Sequence, residues 1–270
     1  IYSLKFNSGI TDFAARMDFD YVPAPNHYVR FGGGNTYHTF KPGASVYHSQ
    51  NDNVTGLDST TGSTDVKAHE IFLYAEDDIR ISKKVKVNFG AHYSGFAVGS
   101  EYYHSIQPRI SARYLMTKNM SLKASFTTMQ QYIHLLTNSN IGLPTDLWVP
   151  ATENVLPQSS MQSALGISTA LPLGLNLTIE GYYKTMNNVI EYKDGASFMN
   201  TSDDWENKVE SGNGLAYGLE VFLEKRVGVF NGWIGYTLAR SERTFENINN
   251  GESFPYKYDR THDVSVVVNY

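Results

Sequence analysis

Two groups of residues in this chain invite a chemical reading: a run of three glycines, and histidines set among carboxylates. Gly32-Gly33-Gly34 has the composition of a phosphate-cradling loop. Such a loop needs a following helix whose N-terminus faces the anion. Here the run lies inside YVRFGGGNTYHTF, which reads as a strand. Glycines there are expected to let another segment approach closely or to let the sheet bend. His262 lies in YDRTHDVS near Asp259 and Asp263, residue types that ligate metals. His38, His48, His104 and His134 are scattered and lack a ligand spacing such as H-E-x-x-H. No dedicated metal site and no cofactor are expected. Ser, His and Asp occur throughout, but no G-x-S-x-G elbow selects a nucleophile, so the chain reads as a non-enzyme. The absence of cysteine removes disulfides and thiolate metal sites.

A third group sits in long polar stretches. Residues 132–157 hold Tyr132, His134, Asp146 and Trp148; residues 187–211 hold Asn187, Tyr192, Trp205 and Glu206; residues 43–66 hold Tyr47 and His48. Aromatic faces with polar neighbours suit stacking on a sugar ring or a flat chelate, with hydrogen bonds at the edges. Tyr47, His48, Tyr132, His134, Trp148 and Trp205 are therefore the candidate substrate contacts. Any one of them also reads as loop packing or as part of an interfacial aromatic girdle. The loops taken together read as ligand-contact elements.

The elements that position these stretches alternate in hydrophobicity. In 12–22, Phe13, Ala15, Met17, Phe19 and Tyr21 share one face, and Asp12, Ala14, Arg16, Asp18 and Asp20 the other. Successive strand side chains point to opposite faces, so this is an amphipathic strand. The same pattern predicts about twelve strands: 1–7, 12–22, 28–41, 67–82, 85–98, 105–116, 119–131, 158–171, 174–186, 212–225, 231–242 and 260–270. Most reach the roughly 9–11 residues that cross a bilayer, against about 5–6 in an ordinary soluble strand. Long connections are predicted at 43–66, 99–104, 132–157, 187–211 and 243–259. Short ones are predicted at 23–27, 83–84, 117–118, 172–173 and 226–230. Strict alternation of the two kinds predicts an antiparallel up-and-down transmembrane β-barrel, with both chain ends on the short-turn side.

Composition agrees with that class. The 19 tyrosines and 14 phenylalanines favour strands and membrane interfaces. No apolar run approaches the ~20 residues of a membrane helix, and an alternating barrel strand needs none. The net charge of −5 without a basic patch argues against nucleic acid as a partner. The polar face carries Glu76, Asp78, Arg80, Arg109, Arg113, Glu180, Lys184, Glu220 and Glu224. A wet or plugged lumen accommodates these charges readily. Ile1 opens the chain without a signal peptide, which reads as a mature form or a fragment.

Five stretches, in order, carry a family likeness: YAEDDIRISKKVKVNFGAHY at 74–93, QPRISARYLMTKNMSLKASF at 107–126, QYIHLLTNSNIGLPTDLWVPATENVLPQSSMQSALGIS at 131–168, LTIEGYYKTMNNVIEY at 177–192 and FPYKYDRTHDVSVVVNY at 254–270. Together they resemble the barrel region of TonB-dependent outer-membrane receptors, especially Bacteroidetes-type ones. The resemblance implies a 22-stranded barrel around an N-terminal plug, of which this chain would be a partial barrel without the plug. It implies residence in the bacterial outer membrane, contact with lipid, coupling to the TonB complex through the missing plug region, and uptake of a scarce nutrient such as a siderophore, cobalamin, haem or an oligosaccharide. A surface lipoprotein partner accompanies some members. The wall residues Arg109, Arg113, Glu180, Glu220 and Glu224 would then face the plug. Two other readings stand beside this one: a complete small barrel acting as a passive pore, and a soluble β-sandwich binding module.

Overall fold

A computed structural model describes the backbone of residues 2–51, 54–62, 65–136, 147–196 and 204–270, and the side chains of these residues outside 2–7 and 42–62. Among them run fifteen strands: β1 (Tyr2–Ala24), β2 (His27–Asn51), β3 (Val54–Gly62), β4 (Val66–Arg80), β5 (Val85–Val98), β6 (Glu101–Leu115), β7 (Met120–Gln131), β8 (Ile133–Leu136), β9 (Leu147–Pro150), β10 (Gln158–Leu171), β11 (Leu175–Tyr192), β12 (Val209–Lys225), β13 (Asn231–Thr244), β14 (Phe254–Pro255) and β15 (His262–Asn269). Thirteen of these form one antiparallel sheet; β8 and β9 make a separate two-stranded hairpin. The path runs β1-β2-β4-β5-β6-β7-β10-β11-β12-β13, with β15 and β14 on the outer edge of β13 and β3 beside the far end of β2. Every neighbour is the next long strand in sequence, as in an up-and-down meander. The sheet is open: its edges are β1 on one side and β14 and β15 on the other.

Alternation puts apolar side chains on one face, where Phe13 is 70% and Ile106 72% exposed. A soluble sandwich would cover that face with a second sheet; here the only other sheet among the described residues is the short hairpin. A lipid-facing surface is the setting in which such exposure costs nothing. Buried hydrophobic residues gather instead at the end carrying the long connections, where segments fold over the sheet: Phe40, Phe96, Tyr132, Leu136, Val149, Ile190, Trp205 and Phe245 are all there.

Four expectations change. Residues 1–7 and 12–22 form one strand, because residues 9–11 stay in register with 39–41 across a bulge at Asn7/Gly9. The predicted long connection 43–66 is largely strand: β2 continues to Asn51 and β3 pairs back onto it. Its Ser, Thr and Gly content reads as loop, yet a strand clear of lipid has no need of an apolar face. The connection at 99–104 shrinks to a turn at Gly99-Ser100, with Gly99 in the left-handed region at φ 56°. Finally, merging the first two segments changes the parity. Tyr2 pairs with Ser49 at the long-connection end, whereas β15 finishes beside Asn231 at the short-turn end. The chain ends therefore lie at opposite ends of the sheet.

Candidate functional site

The polar face is ordered by register. One row across the strands reads Lys86, Arg113, Lys123, Gly166, Glu180, Glu220. Three cations stand side by side, then a glycine, then two carboxylates. Like charges directly opposite one another on neighbouring strands destabilise a sheet. Lys86 is compensated by Asp78 at 3.1 Å. Among the described residues, Arg113, Lys123, Glu180 and Glu220 have no ion-pair partner. Glu224 is held by Arg226 at 2.7 Å. Arg109 lies two polar-face rows nearer the long connections, opposite Gly90 and Thr127. The five wall residues expected from the sequence thus share one face, and four of them lack a local counter-charge among the described residues.

The glycine run has a role in the same wall. Gly32 and Gly34 interrupt the polar face of β2 between β1 and β4. A Cβ on Gly32 would lie 2.5 Å from the Met17 carbonyl oxygen and 2.8 Å from Asp18 Oδ1. The missing side chains let β1 residues reach over β2 to β4. Asp18 accepts a hydrogen bond from the Tyr74 hydroxyl, and the Arg16 guanidinium lies 5.7 Å from the Phe72 ring centroid.

Over the long-connection end, the described parts of segment 132–157, residues 132–136 and 147–157, are docked on both sides. On one side Tyr132 stacks on Phe96 at 4.9 Å and 2°, and its hydroxyl lies 2.8 Å from Ser94 Oγ. Gln107 donates to the same Ser94 oxygen. Phe40, Ala68, Val98 and Ala151 complete this cluster. On the other side Leu136, Leu147, Val149 and Val155 pack with Ile190, Trp205 and Val209. Asn154 Nδ2 donates to Glu206 Oε2 at 2.7 Å, tying 132–157 to the segment before β12. His134 is fully buried and its Nδ1 lies 2.9 Å from Gln158 Nε2; burial pushes its pKa down to about 4.

A neighbouring connection is clasped by Arg243. Its Nη1 reaches Glu191 Oε2 at 2.9 Å and the Ile190 carbonyl at 3.0 Å, and its guanidinium lies 3.6 Å from the Tyr256 ring centroid. Burial raises the Glu191 pKa, against the opposing pull of Arg243.

The candidate substrate contacts therefore divide. Tyr132, His134 and Trp205 are 2%, 0% and 6% exposed, so in this conformation they offer no free face to a ligand. Trp148 is 44% exposed on β9. Tyr47 and His48 lie on β2, in the part whose side chains fall outside the described residues. The anchors Phe40, Phe96 and Val98 were not anticipated. Their signal was present: each is an apolar residue in a polar-face position near a strand end. Arg243 had no such signal. His262 opens β15 and bonds the Tyr236 hydroxyl at 2.9 Å.

An open antiparallel sheet with one apolar and one charged face, capped at one end, is the geometry of a barrel wall. The family model for the TonB-dependent receptor-like β-barrel matches residues 2–270. The chain belongs to that family. Several solved transporter and receptor structures superpose on it. The FrpB iron transporter from Neisseria meningitidis (F3-3 variant) matches with a TM-score of 0.62 at 10% identity, covering 90% of this chain and 37% of that one. The ferripyoverdine receptor of the outer membrane of Pseudomonas aeruginosa matches at 0.61 and 14%, covering 99% and 36%. The RagAB peptide transporter matches at 0.58 and 10%, covering 93% and 32%. At these identities the likeness is one of fold. The chain spans about a third of the length of each of these structures. No curated protein matches the sequence. In membrane β-barrels generally, the apolar face meets lipid and the polar face lines the interior.

Proposed function

We propose that this chain is part of the barrel of an outer-membrane receptor that takes up a scarce nutrient actively. Siderophore, cobalamin, haem and oligosaccharide are the candidate classes. The observation that carries the reading is the lumenal row, with Arg113, Lys123, Glu180 and Glu220 lacking ion-pair partners among the described residues. A polypeptide in the lumen would supply the opposite charges, where a passive pore would leave them to water. A plug domain fills that role, with Arg109, Arg113, Glu180, Glu220 and Glu224 facing it. TonB would act through that plug, and lipid would surround the apolar face. The long connections would then be extracellular. Trp148, with Tyr47 and His48, is the first contact for substrate. Tyr132, His134 and Trp205 hold the segment that carries Trp148 and would meet substrate only if that segment undocks. A surface lipoprotein would cover this same end.

The test is accumulation of labelled candidate nutrients by cells carrying the complete receptor, with and without collapse of the inner-membrane proton gradient. Uptake that stops on collapse supports the reading. Uptake indifferent to the gradient supports a passive pore and rejects active transport. Full uptake by a barrel lacking any plug would equally reject it.

A further inference from the structure

The lumenal face between β1 and β6 contains a cavity of about 480 Å³. Three strands each contribute an arginine to it: Arg16 from β1, Arg30 from β2 and Arg109 from β6. His92 of β5 joins them. Two of the arginines are already paired, Arg16 with Asp18 at 2.7 Å and Arg30 with Glu76 at 2.7 Å. Arg109 has no carboxylate partner among the described residues. Glu70, the other carboxylate of the lining, faces His38 Nε2 at 3.4 Å.

Three nitrogens of these residues are buried without a hydrogen-bond partner: Arg30 Nε, Arg109 Nε and His92 Nδ1. An arginine Nε always carries a hydrogen and can only donate. His92 Nδ1 donates in one neutral tautomer and in the protonated ring. Buried donors in native proteins are satisfied by protein, water or an ion. Two such donors, with His92 Nδ1 as a third in its donor form, line one cavity and point to an acceptor-rich group. Gly90 stands between Glu76 and Arg109 in their row, and the Glu76 side chain leans over it: a Cβ there would lie 2.6 Å from Glu76 Cβ. The guanidinium fork matches the oxygens of a carboxylate or phosphate in a way an ammonium does not.

We propose that this cavity is a binding site for a small oxyanion from solution, gripped by Arg109 and Arg30 with His92 as a further donor. It is separate from the Arg113 and Lys123 row, and it does not depend on what the receptor transports. A shallow ring of surface cations would attract anions diffusely. This site instead places guanidinium donors from separate strands around one half-open pocket, so binding should saturate at a single site.

Calorimetric titration of the complete receptor in detergent with inorganic phosphate, and separately with acetate, tests this. Saturable one-site binding is expected. Arg109→Gln should weaken it by about tenfold or more, the loss expected for a charged hydrogen-bond donor. Arg109→Lys keeps the charge but loses the fork, and should fall between the two. Arg113→Gln, on the same strand but outside the cavity, should bind as the unaltered protein does. Absence of saturable binding overturns the proposal, including the case in which a polypeptide carboxylate already fills the site. Equal weakening by Arg109→Gln and Arg113→Gln also overturns it, because that is the signature of diffuse lumenal charge.

Discussion

Acidification should release segment 132–157 from the wall, and His134 sets where. The ring is fully buried, with Gln158 on Nδ1 and no partner on Nε2 among the described residues. Burial lowers its pKa from 6.5 to about 4. Once the segment undocks, the imidazole is hydrated and returns to the ordinary value. Between the two pKa values the undocked state binds more protons than the docked one. Docking is therefore at full strength above about pH 6.5, weakens as pH falls, and loses no more below about pH 4. At about 1.4 kcal/mol per unit, moving from neutral pH to about pH 4.5 costs roughly 2.4 kcal/mol, about sixtyfold in the docking equilibrium. Glu191 carries the opposite sign, since its raised pKa strengthens its site as pH falls, but it belongs to the Arg243 clasp. Hydrogen exchange, corrected for the intrinsic pH dependence of amide exchange, reads the equilibrium. A useful probe is the Ala151 amide, which donates to the Tyr132 carbonyl at 2.7 Å. Opening should rise about sixtyfold in the unaltered protein and stay flat in His134→Gln. A flat profile in the unaltered protein, or the same slope in His134→Gln, refutes the reasoning.

Three other outcomes follow from the packing. Tyr132→Phe leaves the buried Ser94 and Gln107 pair short of one partner and should cost about 1 kcal/mol of docking; Tyr132→Ala also removes the stack on Phe96 and should cost roughly 3–5 kcal/mol, both read by the same exchange measurement. Arg243→Ala strands the nearly buried Glu191 carboxylate, and should destabilise the 243–259 connection by about 3 kcal/mol or more. Limited proteolysis at 245–253 reports it, and Arg243→Lys should rescue only in part because the fork and the stack on Tyr256 are lost. Leu165→Arg on the lipid face should cost about 2–4 kcal/mol in vesicle refolding if it sits near mid-bilayer, while Ala164→Arg next to it, on the lumenal face, should be nearly neutral. Equal costs would mean that the two faces have been assigned the wrong way round.

Alternation made the wall legible. A period of two follows from strand geometry alone, so Phe13, Met17 and Phe19 declare one face and Asp12, Arg16 and Asp18 the other before any partner strand is known. The same local rule located the tight turns at 23–27, 117–118 and 172–173 and placed Arg109, Arg113, Glu180, Glu220 and Glu224 on a single face. It failed where lipid no longer dictates the pattern. Strand continued through 42–51 and 54–62 without apolar alternation, and Tyr102 to His104, read as loop, are strand residues.

What the sequence by itself determined was each strand's orientation, in-facing against out-facing, because that depends only on neighbours in the chain. Only the tertiary structure decided which charges stand together. Lys86, Arg113, Lys123, Glu180 and Glu220 come from five strands, and register across hydrogen-bonded pairs brings them into one row. The same holds for Tyr132 and Trp205. As isolated aromatics in polar stretches they suit a ligand. Their burial against Phe96 and Ile190 depends on contacts far apart in the chain, which no local pattern encodes.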